Sequence, residues 1–226
     1  MPDPASSSTS TRPRAAISWS GGKDSCTALA RTHADFDVVT MVTMFDESGG
    51  RSRSHGLRPE LLAAQAARLG LRGVTRRCTW DTYDRAFSQA LDALAAEGTT
   101  HVIFGDILFE EHREWAERMC AGSGLTAVEP LWGLSTEALF DEWIASGSQA
   151  VIVTARAALL DQTWLGRRLG AEMRQEFERL GVDLCGERGE YHTVVVDTPL
   201  FSSAICVREN GRVKRSDCWA LDLLPC

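Results

Sequence analysis

The 226-residue chain has no apolar run long enough to cross a bilayer, and it opens on no secretory signal. Its seven cysteines are odd in number and none forms a Cys-x-x-Cys pair, so the sequence predicts free thiols in a reducing, cytoplasmic compartment. Net positive charge is also missing. A formal charge of −7 repels nucleic-acid phosphates on average and argues against a nucleic-acid partner, with Arg72, Arg76 and Arg77 the nearest approach to a basic patch. No internal repeat is visible. Neither Gly-x-x-x-x-Gly-Lys-Ser/Thr nor Gly-x-Gly-x-x-Gly occurs at the glycine-rich loop, which excludes the two commonest phosphate-binding fingerprints there.

What is present is an apolar strand, Ala15–Trp19, that breaks into Ser20-Gly21-Gly22-Lys23-Asp24-Ser25 and then enters a helix. Two glycines let backbone approach an anion closely, and the N–H groups of the following helix face it with the helix dipole behind them. Lys23 adds a compact positive charge, Ser20 and Ser25 add hydroxyls, and Asp24 is a candidate Mg²⁺ ligand.

Through the first half, strand-like and helix-like segments alternate. Strands are expected at Ala15–Trp19, Val38–Met44, residues 74–79 and His101–Phe104. Helices are expected at Ser25–His33, Leu57–Leu69 (with Pro59 near its start and Gly70 as its stop), Tyr83–Glu97 and Glu110–Cys120. The alternation implies βαβ units on a parallel sheet, with ligands at the carboxyl ends of the strands. Met44, His55, Gly105 and Asp106 then share one edge with the loop at 20–25.

The second half differs. Ser135 reads as the N-cap of a helix over Thr136–Ser146, Ala150–Thr154 as a strand, and Trp164–Leu180 as a long amphipathic helix. From Thr193 the pattern is strand-rich, with Asn210-Gly211 expected as a hairpin turn after Ala204–Val207. The expected organisation is a disordered tail over 1–13, a nucleotide-binding domain over 14–130, and a smaller α+β substrate domain over 131–226. Trp132, Trp143, Trp164 and Trp219 suit either a core or an interface.

The loop at 20–25 resembles the pyrophosphate loop (PP-loop) of the ATP pyrophosphatases. With Gly105-Asp106-Ile107, Glu129-Pro130-Leu131-Trp132, Cys185–Thr193 and Val196–Phe201, the chain resembles, over about residues 14–205, the diphthine–ammonia ligases (diphthamide synthase domain) in that superfamily. The resemblance implies an α/β fold: a doubly wound parallel sheet, Rossmann-like and of PP-loop/HUP type, with the smaller C-terminal α+β domain. It also implies an AMP-forming, ATP-dependent amide ligase. A carboxylate attacks the α-phosphorus, pyrophosphate leaves, and ammonia or an amine attacks the acyl-adenylate.

The cofactors implied are ATP and Mg²⁺. The partners are ATP/AMP, an ammonia or amine donor, an acceptor carboxylate that can be carried on a protein, and a second copy in a homodimer, with no membrane. No glutaminase module accompanies the domain, so the donor is free or separate. Lys23, Asp24, Glu187 and Glu190 are the expected catalytic residues. Ser20, Gly21, Gly22, Lys23, Asp24, Ser25, Met44, His55, Gly105 and Asp106 are expected to bind nucleotide, with Asp24 on the metal. Arg113, Gly189, Tyr191 and His192 are expected to bind substrate.

Glu111–Trp115, Arg188 and His192 depart from the eukaryotic and archaeal pattern, and His55-Gly56 with Glu111–Trp115 look more like a bacterial branch, in which diphthine is not the expected acceptor. Two further readings share the loop: a PP-loop tRNA-modifying enzyme, and an ATP/AMP-binding sensor without turnover. Cys26, next to the loop, reads as a packing residue rather than a sulfur carrier.

Overall fold

A computed structural model describes residues 12–226; the tail expected over 1–13 lies almost wholly outside the described residues. Five parallel strands form the first sheet: β1 (Arg14–Ser18), β2 (Asp37–Phe45), β3 (Arg72–Arg77), β4 (His101–Ile103) and β5 (Thr126–Val128), in the order β3-β2-β1-β4-β5. Side chains alternate across it. Ala15 and Ile17 of β1 join one core and Ala16 the other. Helices α1 (Lys23–Thr32) and α2 (Pro59–Leu69) bury Leu29, Leu61 and Leu62 in the first core, while α3 (Tyr83–Ala96) and α4 (Glu110–Gly122) bury Phe87, Leu91, Ala116 and Cys120 in the second. The strand order reverses between β1 and β4, so the crevice beyond their carboxyl ends is the ligand position of such a sheet.

Helix boundaries follow local chemistry. Pro59 opens α2, where its missing N–H is unneeded, and Gly70 closes it in the left-handed conformation at φ 68°. Ser135 caps α5 (Thr136–Ala145) by accepting from the Ala138 amide at 3.1 Å.

The C-terminal sheet runs β7-β6-β9-β8, all antiparallel, from β6 (Gln149–Arg156), β7 (Tyr191–Asp197), β8 (Val207–Arg215) and β9 (Cys218–Pro225). It packs on the α1–α2 side of the first sheet, and Val194, Val195 and Leu221 share a continuous core with Ile17 and Leu29.

Three expectations fail here. The long helix over Trp164–Leu180 is instead a 3₁₀ turn at Gln162–Trp164, an extended stretch, and a short helix α6 (Met173–Leu180). Gly166 at φ 84° breaks the spiral, and residues 166–169 hydrogen-bond along β6, with the Ile152 amide donating to the Arg167 carbonyl and the Leu169 amide to the Ala150 carbonyl. Asn210-Gly211 is not a hairpin turn. It sits inside β8 as a bulge between Glu209 and Gly211, and the reversal comes at Ser216, at φ 50°. Finally, Cys206 and Cys226 form a disulfide, and the other five cysteines are free. Register brings the pair together: Val207 faces Pro225, so the residues just outside that pair meet, with Cα atoms 5.5 Å apart.

Candidate active site

The loop between β1 and α1 turns at Gly21, which adopts φ 90°. Both loop glycines are also packed. A Cβ on Gly21 would lie 2.5 Å from Leu57 Cδ1, and one on Gly22 would collide with the His55 ring. Gln65 of α2, fully buried, fixes this turn. It accepts from Trp19 Nε1 at 2.8 Å and donates to the Gly21 carbonyl at 3.0 Å and the Val195 carbonyl at 2.8 Å. Three elements thus converge on one amide, and every polar atom of it is satisfied. From the other side, the Val195 amide donates to the Gly21 carbonyl at 2.9 Å and the Lys23 amide to Thr193 Oγ1 at 3.1 Å.

Gly105, at the end of β4, meets the start of α1. A Cβ there would stand 2.9 Å from the Asp24 carbonyl carbon and the Ser25 nitrogen. The glycine is required because a helix N-terminus rests directly on it.

Lys23 is almost wholly buried. Its Nζ donates to both Asp24 carboxylate oxygens at 2.8 Å and to the Cys185 carbonyl, and sits 5.4 Å from the Tyr191 ring centre. Burial opposes the charge, but Asp24, with Tyr191 and Cys185, outweighs it and holds the ammonium above the ordinary lysine range.

A cavity of about 460 Å³ opens beside this group, within the roughly 300–1,000 Å³ of small-molecule sites. Ser20, Lys23, Asp24, Ser25, Met44, His55, Gly105, Asp106, Glu187, Tyr191 and His192 all line it. Burial first, and then Asp24, push the Glu187 carboxyl up to about 8, with Lys23 working the other way. His55 and His192 stack at 4.6 Å, and burial holds both imidazoles low, at about 4 and about 3. His55 Nδ1 pairs with the Thr193 carbonyl at 2.8 Å. Asp106 pairs with His112 Nδ1 at 3.1 Å and raises that imidazole's pKa.

Three sequence-predicted residues lie apart from the cavity wall, besides the packed glycines 21 and 22. Glu190 is buried with its carboxylate turned into its own loop, accepting from the amides of Asp183 at 3.2 Å and Arg188 at 2.9 Å. Gly189, at φ 75°, lets that loop close beside Arg156. Arg113 pairs with Glu117 at 3.0 Å, approaches Glu129 at 3.9 Å and covers the Trp132 ring. Cys26 is a buried thiol pushed up to about 11 by burial, which suits packing and not sulfur transfer.

The structure adds residues to which the sequence assigned no individual role. Trp80, Tyr83, Phe104 and Trp115 form an aromatic side of the cavity, with Trp80 and Tyr83 stacked at 5.8 Å and Trp80 67% exposed. Thr193 and Gln65 hold the loop, and nothing in a single threonine or glutamine marks that role beforehand. Glu129 Oε1 is buried without a hydrogen bond, and burial followed by Asp106 pushes this carboxyl up to about 7.

Among the described residues, no three His, Cys, Asp or Glu side chains gather tightly enough to hold a metal alone. Asp24 and Asp106 offer hard oxygen donors on one cavity. That donor set fits Mg²⁺, which binds through one or two carboxylates and completes its shell with water and phosphate.

A family model for the diphthamide synthase N-terminal domain matches residues 13–127, and one for the C-terminal domain matches residues 135–222. The chain belongs to the diphthamide synthase family. A Rattus norvegicus protein named diphthine–ammonia ligase is 30% identical over 90% of this chain and 86% of its own length. A Schizosaccharomyces pombe protein of the same name is 27% identical over 87% of this chain, which spans 36% of that longer protein. A Methanocaldococcus jannaschii structure, described as a predicted subunit of tRNA methyltransferase, aligns over 82% of this chain and 98% of its own at 15% identity and a TM-score of 0.43. As a diphthamide synthase family member the chain is an enzyme, an ATP-dependent carbon–nitrogen ligase. Among the described residues no helix is long and apolar enough to cross a membrane.

Proposed function

We propose that the chain joins a nitrogen to a carboxylate by forming an acyl-adenylate, with ATP as the activating substrate and ammonia or an amine as the nitrogen source. The observation that carries this reading is Lys23: a charged, buried ammonium at the first turn of an α-helix, inside a cavity at the switch point of the parallel sheet. Such a group has no packing role that a leucine would not fill better, and it suits a polyphosphate.

The triphosphate lies on Ser20–Ser25, where helix N–H groups, two hydroxyls and Lys23 balance its charge. The acceptor carboxylate is already ionised at neutral pH and needs no base. Its oxygen bonds to the α-phosphorus as the bond to pyrophosphate breaks, and Lys23 stabilises the departing charge. Ammonia then attacks the acyl carbon, AMP leaves with the bonding pair, and Glu187 takes the proton the nitrogen sheds. Its raised pKa matches that task near neutrality. Asp24 and Asp106 would hold Mg²⁺, which neutralises phosphate charge when bound. His55 and His192 remain neutral and pack the loop from the side of the C-terminal sheet.

Diphthine is the acceptor named for the curated relatives. For this chain the proposal extends to the carboxylate and not to diphthine itself. The test is product analysis with ATP, Mg²⁺, ammonium and a cell extract depleted of small molecules as acceptor source. AMP and pyrophosphate, lost in Lys23→Ala, are expected; ADP and orthophosphate would refute the reading.

A further inference from the structure

Tyr191 has one side-chain donor, and it is used inside the protein. The residue is buried at the head of β7, and its hydroxyl donates to the Leu184 carbonyl at 2.5 Å. No donor is left for a molecule in the cavity, although the sequence suggested this residue as a substrate contact. What the ring does face is Lys23, whose Nζ lies 5.4 Å from its centre.

The bond to Leu184 acts on Lys23 through the main chain. A peptide unit is planar, so holding one of its groups orients the other. The unit between Leu184 and Cys185 is held at both, its carbonyl by the Tyr191 hydroxyl and its N–H by Asp183 Oδ1 at 2.8 Å. The next unit, between Cys185 and Gly186, donates its N–H to the Asp183 carbonyl at 2.9 Å and gives its own carbonyl to Lys23 Nζ. Gly186 makes room for this turn: a Cβ there would stand 2.8 Å from the Tyr191 carbonyl oxygen and 3.0 Å from its ring. The Tyr191 ring stacks on Phe177 at 5.1 Å, and Phe177 on Trp164 at 5.1 Å, so two further buried rings hold it in place.

The hydrogen bonds of Lys23 Nζ run to Asp24 and to the Cys185 carbonyl, and Asp24 is also the candidate Mg²⁺ ligand. Of these neighbours, only the Cys185 carbonyl and the Tyr191 ring have no second task toward the nucleotide. One side chain governs both. We infer that Tyr191 is a positioning residue for Lys23: its hydroxyl sets the Cys185 carbonyl, its ring walls the ammonium, and together they hold Nζ where the β- and γ-phosphates of ATP arrive. The inference rests on the reading of Lys23 as the polyphosphate ligand. A desolvated cation is attracted to a ring face, so loss of the ring is felt at Nζ even where the fold survives.

The test compares MgATP with AMP, which lacks the phosphates that Lys23 serves, by calorimetry on the full chain. MgATP affinity is expected to fall about tenfold in Tyr191→Leu and about threefold in Tyr191→Phe, with AMP affinity within about twofold of wild type in both. A residue that only fills the core would weaken both ligands alike. Equal losses for the two ligands, or a MgATP-to-AMP ratio left at its wild-type value, therefore overturn the role of Tyr191. Where Tyr191→Leu does not fold, the ratio in Tyr191→Phe decides. Lys23→Ala separates this failure from that of the reading beneath it, and should lower MgATP affinity more than either Tyr191 variant. Wild-type MgATP affinity in Lys23→Ala overturns Lys23 as the polyphosphate ligand, and the positioning role with it.

Discussion

The Lys23 backbone amide donates to the Thr193 hydroxyl at 3.1 Å, across 170 residues of sequence. This bond ties the first turn of α1 to β7, so the phosphate loop is held from both halves of the chain. With Gln65 and the Val195 amide it forms a small polar joint inside an apolar core. The loop is therefore built before any nucleotide arrives, and little ordering entropy is left to lose on binding.

Replacing Gln65 by leucine tests that joint. The change strands the Trp19 indole N–H and leaves the Val195 carbonyl without its Gln65 donor in the core. Each stranded group costs about 1–3 kcal/mol, so urea unfolding should show a loss of roughly 2–5 kcal/mol. Wild-type stability in that variant would mean that the joint is dispensable.

Gly105→Ala probes a different contact. Its methyl would sit 2.9 Å from the main chain of α1, where no side chain can swing aside. Overpacking of this kind costs about 1–3 kcal/mol. Because the displaced segment is the start of α1, MgATP affinity by calorimetry should fall together with the melting temperature. Gly98→Ala serves as control for a left-handed glycine with nothing near its Cβ; it should lower stability alone.

How far the sequence could be read depends on the range over which the signal acts. Helices α2 and α3 were legible because Pro59, Gly70 and the Phe87–Leu91–Leu94 spacing are local signals. Strand β5 was missed because three residues, Thr126–Val128, are too few for a pattern to emerge. Trp164, Leu165, Leu169, Met173 and Phe177 imitate a helical stripe, yet Trp164 ends a 3₁₀ turn and Leu165 and Leu169 are buried beside β6 in extended chain. Asn210-Gly211 carries turn chemistry and was used for a bulge, since β9 supplies enough partners to continue the strand through it. At the site, Lys23, Asp24 and Asp106 were legible from the loop and the strand ends. Gln65 was not, because a glutamine on a helix reads as surface until its three partners are known.

The two glutamates of the Cys185–Thr193 stretch separate by role. Glu190 caps its own loop from a buried position, while Glu187 faces the cavity. Glu190→Ala should therefore destabilise the fold by about 1–3 kcal/mol in thermal or urea melts. Glu187→Gln should leave melting at acid pH nearly unchanged and cut the rate of amide formation by about 10²–10⁴. The opposite pattern, with activity tracking Glu190 and stability tracking Glu187, would reverse the assignment.

The same glutamate fixes a pH dependence. Its folded-state pKa of about 8 lies above the ordinary carboxyl range, so between the two values the folded chain holds a proton that the unfolded chain has released. Stability from this group is complete below the unfolded pKa and is lost as pH rises through about 8. Glu129, pushed up to about 7, adds to the loss in the lower part of that window. The stacked His55–His192 pair acts at the other end. Both are held neutral in the fold, so their contribution is present above the unfolded histidine pKa and declines as pH falls toward about 4 and about 3. Melting temperature measured from pH 5 to pH 9 should thus decline on the alkaline side in wild type and decline less in Glu187→Gln. MgATP adds negative phosphate and a counter-cation to the same cavity, so a changed alkaline slope in its presence locates Glu187 beside the bound nucleotide. A slope identical in Glu187→Gln and wild type would remove Glu187 as the group responsible.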